Sequence, residues 1–157
     1  MFESGRGLKQ TDIPRAIEYY RRAADDGIAP AGNALGNLYR SGRGVQQDFS
    51  KAFQWYRWAA DRGDSNAQVS LGFMYANGQA TPRDDARAFE LYRRAADQNN
   101  AVGINNVGYF YDFGRAVALD LNQAAQWYER AVRLGDKSAT GNLGRVQEKL
   151  RNVPVRR

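Results

Sequence analysis

Two residue types are missing from this chain, and each absence closes a class of chemistry. There is no cysteine, so disulfides, thiolate nucleophiles and thiolate metal sites are excluded, and redox compartment leaves no mark on the sequence. There is no histidine, which removes the commonest general base and the commonest metal ligand. No apolar run reaches the roughly 18 residues a membrane span needs, and the opening "MFESGRGLKQTD" lacks the apolar core of a signal peptide. No membrane insertion is expected. The chain reads as soluble, cytoplasmic as written, or periplasmic if a leader has been removed. Its 157 residues suffice for one domain with a continuous core.

What is present is written more than once. "AFQWYRWAADRG" at Ala52 to Gly63 returns as "AFELYRRAADQN" at Ala88 to Asn99, 36 residues later. The same step links Ala16, Ala52, Ala88 and Ala124, and also Tyr20, Tyr56, Tyr92 and Tyr128. It links Asp12, Asp48, Asp84 and Asp120 as well. A second block keeps the period: "LGNLYRSG" at Leu35, "LGFMYANG" at Leu71, "VGYFYDFG" at Val107 and "LGRVQEKL" at Leu143. A fixed period between about 20 and 50 residues marks a repeat array.

Each unit reads as two helices. Ala52, Phe53, Tyr56, Ala59 and Ala60 share one helical face, widened by Trp55. The recurrent aspartate suits an N-cap, and Asp120 followed by Gln123 has capping-box spacing. Gly27, Gly63 and Gly135 suit left-handed C-terminal caps, with Asn99 in the same role. In the other helix Ala31, Ala34, Leu35, Leu38 and Tyr39 form the face. Gly36, Gly72, Gly108 and Gly144 recur inside it, although a helical glycine costs about 1 kcal/mol against alanine. Close helix approach is the expected return. Short connections imply antiparallel neighbours, so the fold class is all-α, an α-solenoid of antiparallel helix pairs with about eight helices.

Ala31 to Gly63 resembles the Sel-one-like repeat, a relative of the tetratricopeptide repeat. The resemblance rests on Leu35, Gly36, Tyr39, Gly42, Gly44, Val45, Asp48, Lys51, Ala52, Trp55, Tyr56, Ala59, Ala60 and Gly63. Other units depart from it, with Ala80 and Ala116 where Gly44 stands and Leu91 where Trp55 stands. It implies a right-handed superhelix and adaptor or complex-assembly roles, bacterial or organellar. The expected organisation is one repeat domain over residues 1–150. It comprises a partial repeat at 1–30, full repeats at 31–66, 67–102 and 103–138, and a terminal helix at 139–150. A basic tail follows at 151–157. "FESGRG" at Phe2 to Gly7 aligns with "YRSGRG", so the helix from about Ile13 to Asp26 lacks its partner. Ile17, Tyr19 and Tyr20 are then expected to be partly bare, as in an excised fragment or a surface for self-association.

Catalytic machinery is not found. Without histidine or cysteine no triad, thiolate or zinc cluster can be assembled. Asp25–Asp26 and Asp84–Asp85 read as helix-end carboxylates, and "GRGV" lacks the lysine of a phosphate loop. The expectation is no enzyme, no cofactor and no metal. What remains is surface. On the first helix of each pair, the stripe opposite the core carries Asn33, Asn37 and Arg40; then Val69, Phe73 and Ala76; then Asn105, Tyr109 and Asp112. By resemblance to tetratricopeptide arrays, Asn33, Asn37, Arg40, Val69, Phe73, Asn77, Asn105, Tyr109, Asp112 and Phe113 line a concave groove for a protein or peptide. The bland alternative is that curvature buries Phe73 and Tyr109.

The second helices present an arginine ladder in which Arg21, Arg22, Arg93 and Arg94 alternate with acids. Trp58 interrupts it, either stacked on Arg22 or Arg94 or exposed as an interface anchor. The net charge of +6 and 19 arginines permit an acidic protein partner. Nucleic acid is the weaker use, because the ladder is partly cancelled and the uncompensated charges are Arg151, Arg156 and Arg157. The function read from the sequence is a non-catalytic protein-interaction module. The alternative is an inhibitor or immunity protein that blocks an enzyme or toxin one to one.

Overall fold

The computed structural model describes residues 13–152, and among them lie eight helices. These are α1 (Ile13–Asp25), α2 (Ala29–Ser41), α3 (Phe49–Asp61), α4 (Ser65–Asn77), α5 (Asp85–Asp97), α6 (Ala101–Phe113), α7 (Leu121–Arg133) and α8 (Lys137–Arg151). The "FESGRG" stretch, the Asp12 cap and the tail from 153 onward lie outside the described residues. Two compact units are present, Met1–Ala67 and Gln68–Arg157. In the first, α1 packs on α2 and α2 on α3; in the second, α5, α6, α7 and α8 pack in succession and α6 also meets α8.

The helix boundaries follow from side-chain chemistry. Asp48, Asp84 and Asp120 adopt extended backbone and accept from the amides of Lys51, Arg87 and Gln123, which satisfies a free first-turn donor. Their own amides are also used, each donating to the carbonyl of Tyr39, Tyr75 or Tyr111 at 2.9 Å. This corrects the capping-box expectation at Asp120. The donor that Gln123 would engage is already bonded to the preceding helix. The first helices carry caps as well: Asp64 accepts from Ala67, Asn100 from Gly103 and Asp136 from Ser138. The residue in that position before α2 is Ile28, which makes no side-chain cap, and a proline occupies the first turn instead.

Gly27, Gly63, Asn99 and Gly135 adopt the left-handed conformation after α1, α3, α5 and α7, as expected of C-terminal caps. The turn glycine Gly44 is also left-handed, and its replacements Ala80 and Ala116 keep φ at 60° and 57°. For a residue with a Cβ that backbone costs roughly 1–2 kcal/mol. The turn geometry is therefore held by its surroundings, including the returning Asp84 and Asp120 amides.

The helix glycines are answered by tyrosines. A Cβ at Gly36 would lie 2.5 Å from the Tyr56 ring, one at Gly72 2.9 Å from Tyr92, and one at Gly108 2.9 Å from Tyr128. All three rings are buried, at 0, 2 and 0% exposure. The ring lies on bare backbone, and the alanines around it, such as Ala59, Ala60, Ala95 and Ala96, are fully enclosed. Gly144 departs from this: beyond its own helix backbone and chain neighbours, no described atom lies within 4 Å of its Cβ position. Its surroundings on α8 are more polar, with Gln147 where Tyr39, Tyr75 and Tyr111 stand.

In the first unit Ile13, Ile17, Ala24, Ala31 and Leu35 form the buried cluster, with Tyr20, Val45, Trp55 and Trp58 packed against it. Ile17, expected to be partly bare, is covered because α2 lies over it. Tyr19 does remain exposed, at 70%.

Two alanine substitutions should separate fit from propensity. Gly36→Ala is expected to lower stability by about 1–3 kcal/mol through overpacking against Tyr56. Gly144→Ala meets nothing and should be neutral or gain up to about 1 kcal/mol of helix propensity. Urea unfolding of the two variants beside the parent measures both.

Candidate functional site

Where α4, α5 and α6 meet in the second unit, a cleft of about 200 Å³ opens between Phe73, Ala76, Asn77, Tyr92, Asn106, Tyr109, Phe110 and Arg115. Phe73 is 42% and Tyr109 36% exposed, so the two expected groove aromatics reach the surface. Asn77 is exposed and bonds its own helix through the Phe73 carbonyl. Arg115 holds one flank. It makes a bidentate pair with Asp85, at 3.0 and 2.5 Å, donates to the Ala76 carbonyl, and lies 4.8 Å from the Phe110 ring centre. Arg83 binds the same carboxylate at 2.7 Å. Hydrogen bonds from Arg115 and then Arg83 hold the Asp85 carboxyl well below the usual carboxylate range, against the opposing effect of burial.

The hydroxyls of the three tyrosines packed on glycine meet different ends. Tyr56 donates to Asn37 at 2.7 Å, and Tyr128 donates to Asp112 at 3.4 Å. The positions equivalent to Asn37 and Asp112 beside Tyr92 are Phe73 and Ala76. Neither can accept, and among the described residues the Tyr92 hydroxyl has no hydrogen-bond partner. Burial raises its pKa, so the phenol stays protonated and available as a donor.

The other expected groove residues divide. Phe113 is exposed and stacks on Tyr109, with ring centres 4.4 Å apart. Asn105 is half-buried and bonds Ser138 and Asn142, and Val69 is half-buried. In the first unit Asn37 and Arg40 are exposed, while Asn33 is half-buried with its carbonyl oxygen enclosed.

Asp112 is not a surface residue. It is 1% exposed, and Arg145 and Lys149 of α8 bond it at 2.5 and 2.9 Å. Burial pushes its carboxyl up, but those two cations outweigh it and hold the pKa below the ordinary value. The correction has a simple cause: α8 brings cations 33 and 37 residues along the chain back onto this position.

Trp58 is likewise corrected as a surface anchor. The guanidinium over its ring is that of Arg62, 4.1 Å from the centre, not of Arg22 or Arg94, which are themselves exposed. Its indole is half-buried and fills the space above Gly32, where a Cβ would fall 2.6 Å from the ring. In the later repeats this pair of positions is Gln68 with Arg94 and Ile104 with Arg130. A large first-helix residue goes with arginine, and glycine goes with tryptophan. The ladder is also engaged locally: Arg93 and Arg130 lie over Trp127, and Arg130 donates to Ala96 and Asn99.

Sequence reasoning passed over Tyr92, Asn106, Phe110 and Arg115. The periodicity assigns the first and third to the core. Comparing what each tyrosine hydroxyl could reach in successive repeats would have exposed the missing acceptor. No group of three or more acidic residues among those described could hold a metal, and no described helix is long and apolar enough to cross a membrane.

Sel1 repeats match residues 1–28, 29–64, 65–100 and 101–136. The chain belongs to the Sel1 repeat family. Solved structures agree with the helical repeat. A Sel1 repeat protein from Oxalobacter formigenes is 35% identical, with a TM-score of 0.74, over 83% of this chain and 98% of that one. A protective antigen of uropathogenic Escherichia coli with an SLR fold is also 35% identical, at a TM-score of 0.80. The match covers 85% of this chain but only 28% of that protein. Cysteine rich protein B of Helicobacter pylori is 29% identical, at a TM-score of 0.68, over 88% of this chain and all of that one. No curated protein matches the chain. Sel1 repeats are generally protein–protein interaction modules.

Two measurements probe these assignments. Trp58→Ala should lose about 2 kcal/mol or more, since it empties packed space, where an exposed residue would lose under about 0.5 kcal/mol. Gly32→Gln with Trp58→Arg, which copies the Gln68–Arg94 pair, should recover part of that loss. The depressed Asp112 pKa sets a pH dependence. The ionised carboxylate contributes stability above its ordinary value of about 3.9, and this is lost as pH falls through the lower folded value. Asp112→Asn should melt lower at neutral pH and show less acid sensitivity below about pH 4; a pH series of thermal melts reads both.

Proposed function

We propose that this chain is a non-catalytic interaction module that recruits a protein partner by holding an extended segment of it in the cleft beside Phe73 and Tyr109. The observation that carries this reading is the pair of aromatic rings presented from corresponding helices, α4 and α6, over a recess flanked by amides. Phe73 and Tyr109 offer apolar area with little rotamer freedom to lose. Asn77 and Asn106 can both donate to and accept from a peptide backbone. In the first unit Asn37 and Arg40 stand at the corresponding positions of its own helix, are exposed, and are proposed as contact residues of that unit by itself. The membership in a family of interaction modules supports it.

The test is a displayed library of random peptides selected on the immobilised chain. Binding of a selected peptide should weaken at least about tenfold, or 1.4 kcal/mol, in the Phe73→Ala, Tyr109→Ala double variant. Thermal melting of the double variant checks that the fold is kept, since each ring is partly exposed but Tyr109 also stacks on Phe113. Equal binding by the double variant would remove the cleft from the function.

A further inference from the structure

The cleft is lined by a tyrosine hydroxyl that no described protein group accepts from, and the repeat shows how this arose. Tyr56 and Tyr128 occupy the same place in their own helix pairs, and each finds an acceptor on the preceding first helix, the amide oxygen of Asn37 or the carboxylate of Asp112. Around Tyr92 the two corresponding positions are Phe73 and Ala76. Ala76 leaves space where Asp112 has a carboxylate, and Phe73 becomes a wall of the opening. The ring is buried, but its hydroxyl opens on the cleft and is held by no acceptor among the described residues. It can therefore donate to a ligand without breaking a bond inside the protein, which neither sister tyrosine can do.

Charge selects the acceptor. Arg83 and Arg115 share the single carboxylate of Asp85, so this flank keeps an excess of one positive charge. Arg115 is already oriented by Asp85 and the Ala76 carbonyl and lines the same cleft as Tyr92. At about 200 Å³ the space is below the roughly 300–1,000 Å³ of small-molecule pockets and suits one side chain. We infer that the cleft takes an acidic side chain of the bound peptide, its carboxylate accepting from the Tyr92 hydroxyl and facing Arg115, its stem between Phe73 and Tyr109. The inference rests on the reading of the chain as a peptide-binding module. It adds the class of residue that is recognised.

The experiment compares peptide selections on the parent and on Tyr92→Phe. The parent should enrich aspartate or glutamate at one position beside an apolar residue, and Tyr92→Phe should keep the apolar preference while losing the acidic one. A synthetic winner and its counterpart with glutamine for glutamate should differ about tenfold or more in affinity for the parent. That ratio should fall several-fold in Tyr92→Phe. Folding is controlled by melting: Tyr92→Phe should melt no lower than the parent, whereas Tyr56→Phe, which breaks a bond, should melt lower. Selected peptides that need Phe73 and Tyr109 but show no acidic preference would overturn the carboxylate inference and leave the module reading intact. An acidic preference undiminished in Tyr92→Phe would overturn it too. Failure to enrich any peptide would overturn both readings.

Discussion

A tyrosine ring lying flat on a glycine of the neighbouring helix sets the spacing on which the rest of this structure depends. At Gly36, Gly72 and Gly108 a single methyl group would collide with the ring of Tyr56, Tyr92 or Tyr128. Each glycine gives up about 1 kcal/mol of helix propensity. In exchange a whole aromatic side chain is buried, a gain that exceeds the loss. The close approach also explains why the surrounding core is alanine. Ala52, Ala59, Ala60, Ala88, Ala95, Ala96, Ala124 and Ala131 are all fully enclosed, and larger side chains there would hold the helices apart. Gly144 shows the rule by its exception, since the glycine is kept where no described ring covers it.

Fixing the ring also fixes where its hydroxyl must go, and that is where the repeats diverge. One hydroxyl is met by the Asn37 amide, a neutral bond on the edge of the first unit. Another faces Asp112, a buried carboxylate that in turn requires Arg145 and Lys149 and thereby ties α8 to α6. The third, Tyr92, has neither acceptor. A single repeated geometric constraint has thus been resolved as a hydrogen bond, as an ion cluster and as an open cleft. Substitutions at two positions on the first helix decide which.

The periodic part of this architecture was legible in the sequence because it is local. The 36-residue step placed the helices, the recurrent aspartates marked their starts, and the recurrent glycines announced close contact. The reading weakened where burial depends on distant segments. Asp112 was read as part of an outward stripe, whereas Tyr128 of α7 donates to it and the α8 cations close over it. Ile17 was expected to be partly bare for lack of a preceding helix, whereas it packs in one cluster with Ala31 and Leu35 of α2. Tyr92 was hidden by success: a residue fully explained as core gave no reason to ask about its oxygen. Phe73 and Tyr109 were legible because the core does not dictate their identity, so large apolar groups there stand out.

Variation between repeats alone does not identify a site, as Trp58 demonstrates. It differs from Arg94 and Arg130, yet the change is matched by Gly32 against Gln68 and Ile104 at the contacting position. The two residues change together, volume is conserved, and the pair is explained by packing. Asp112 likewise departs from Arg40 and Ala76, but Arg145 and Lys149 answer it from within the chain. The substitutions around Tyr92 are different in kind. Phe73 and Ala76 replace an acceptor and a side chain of some size, and the described residues supply neither a new acceptor nor filling volume. A change compensated inside the protein belongs to its stability. A change left uncompensated beside exposed aromatics and a surplus cation leaves the complement to be supplied from outside.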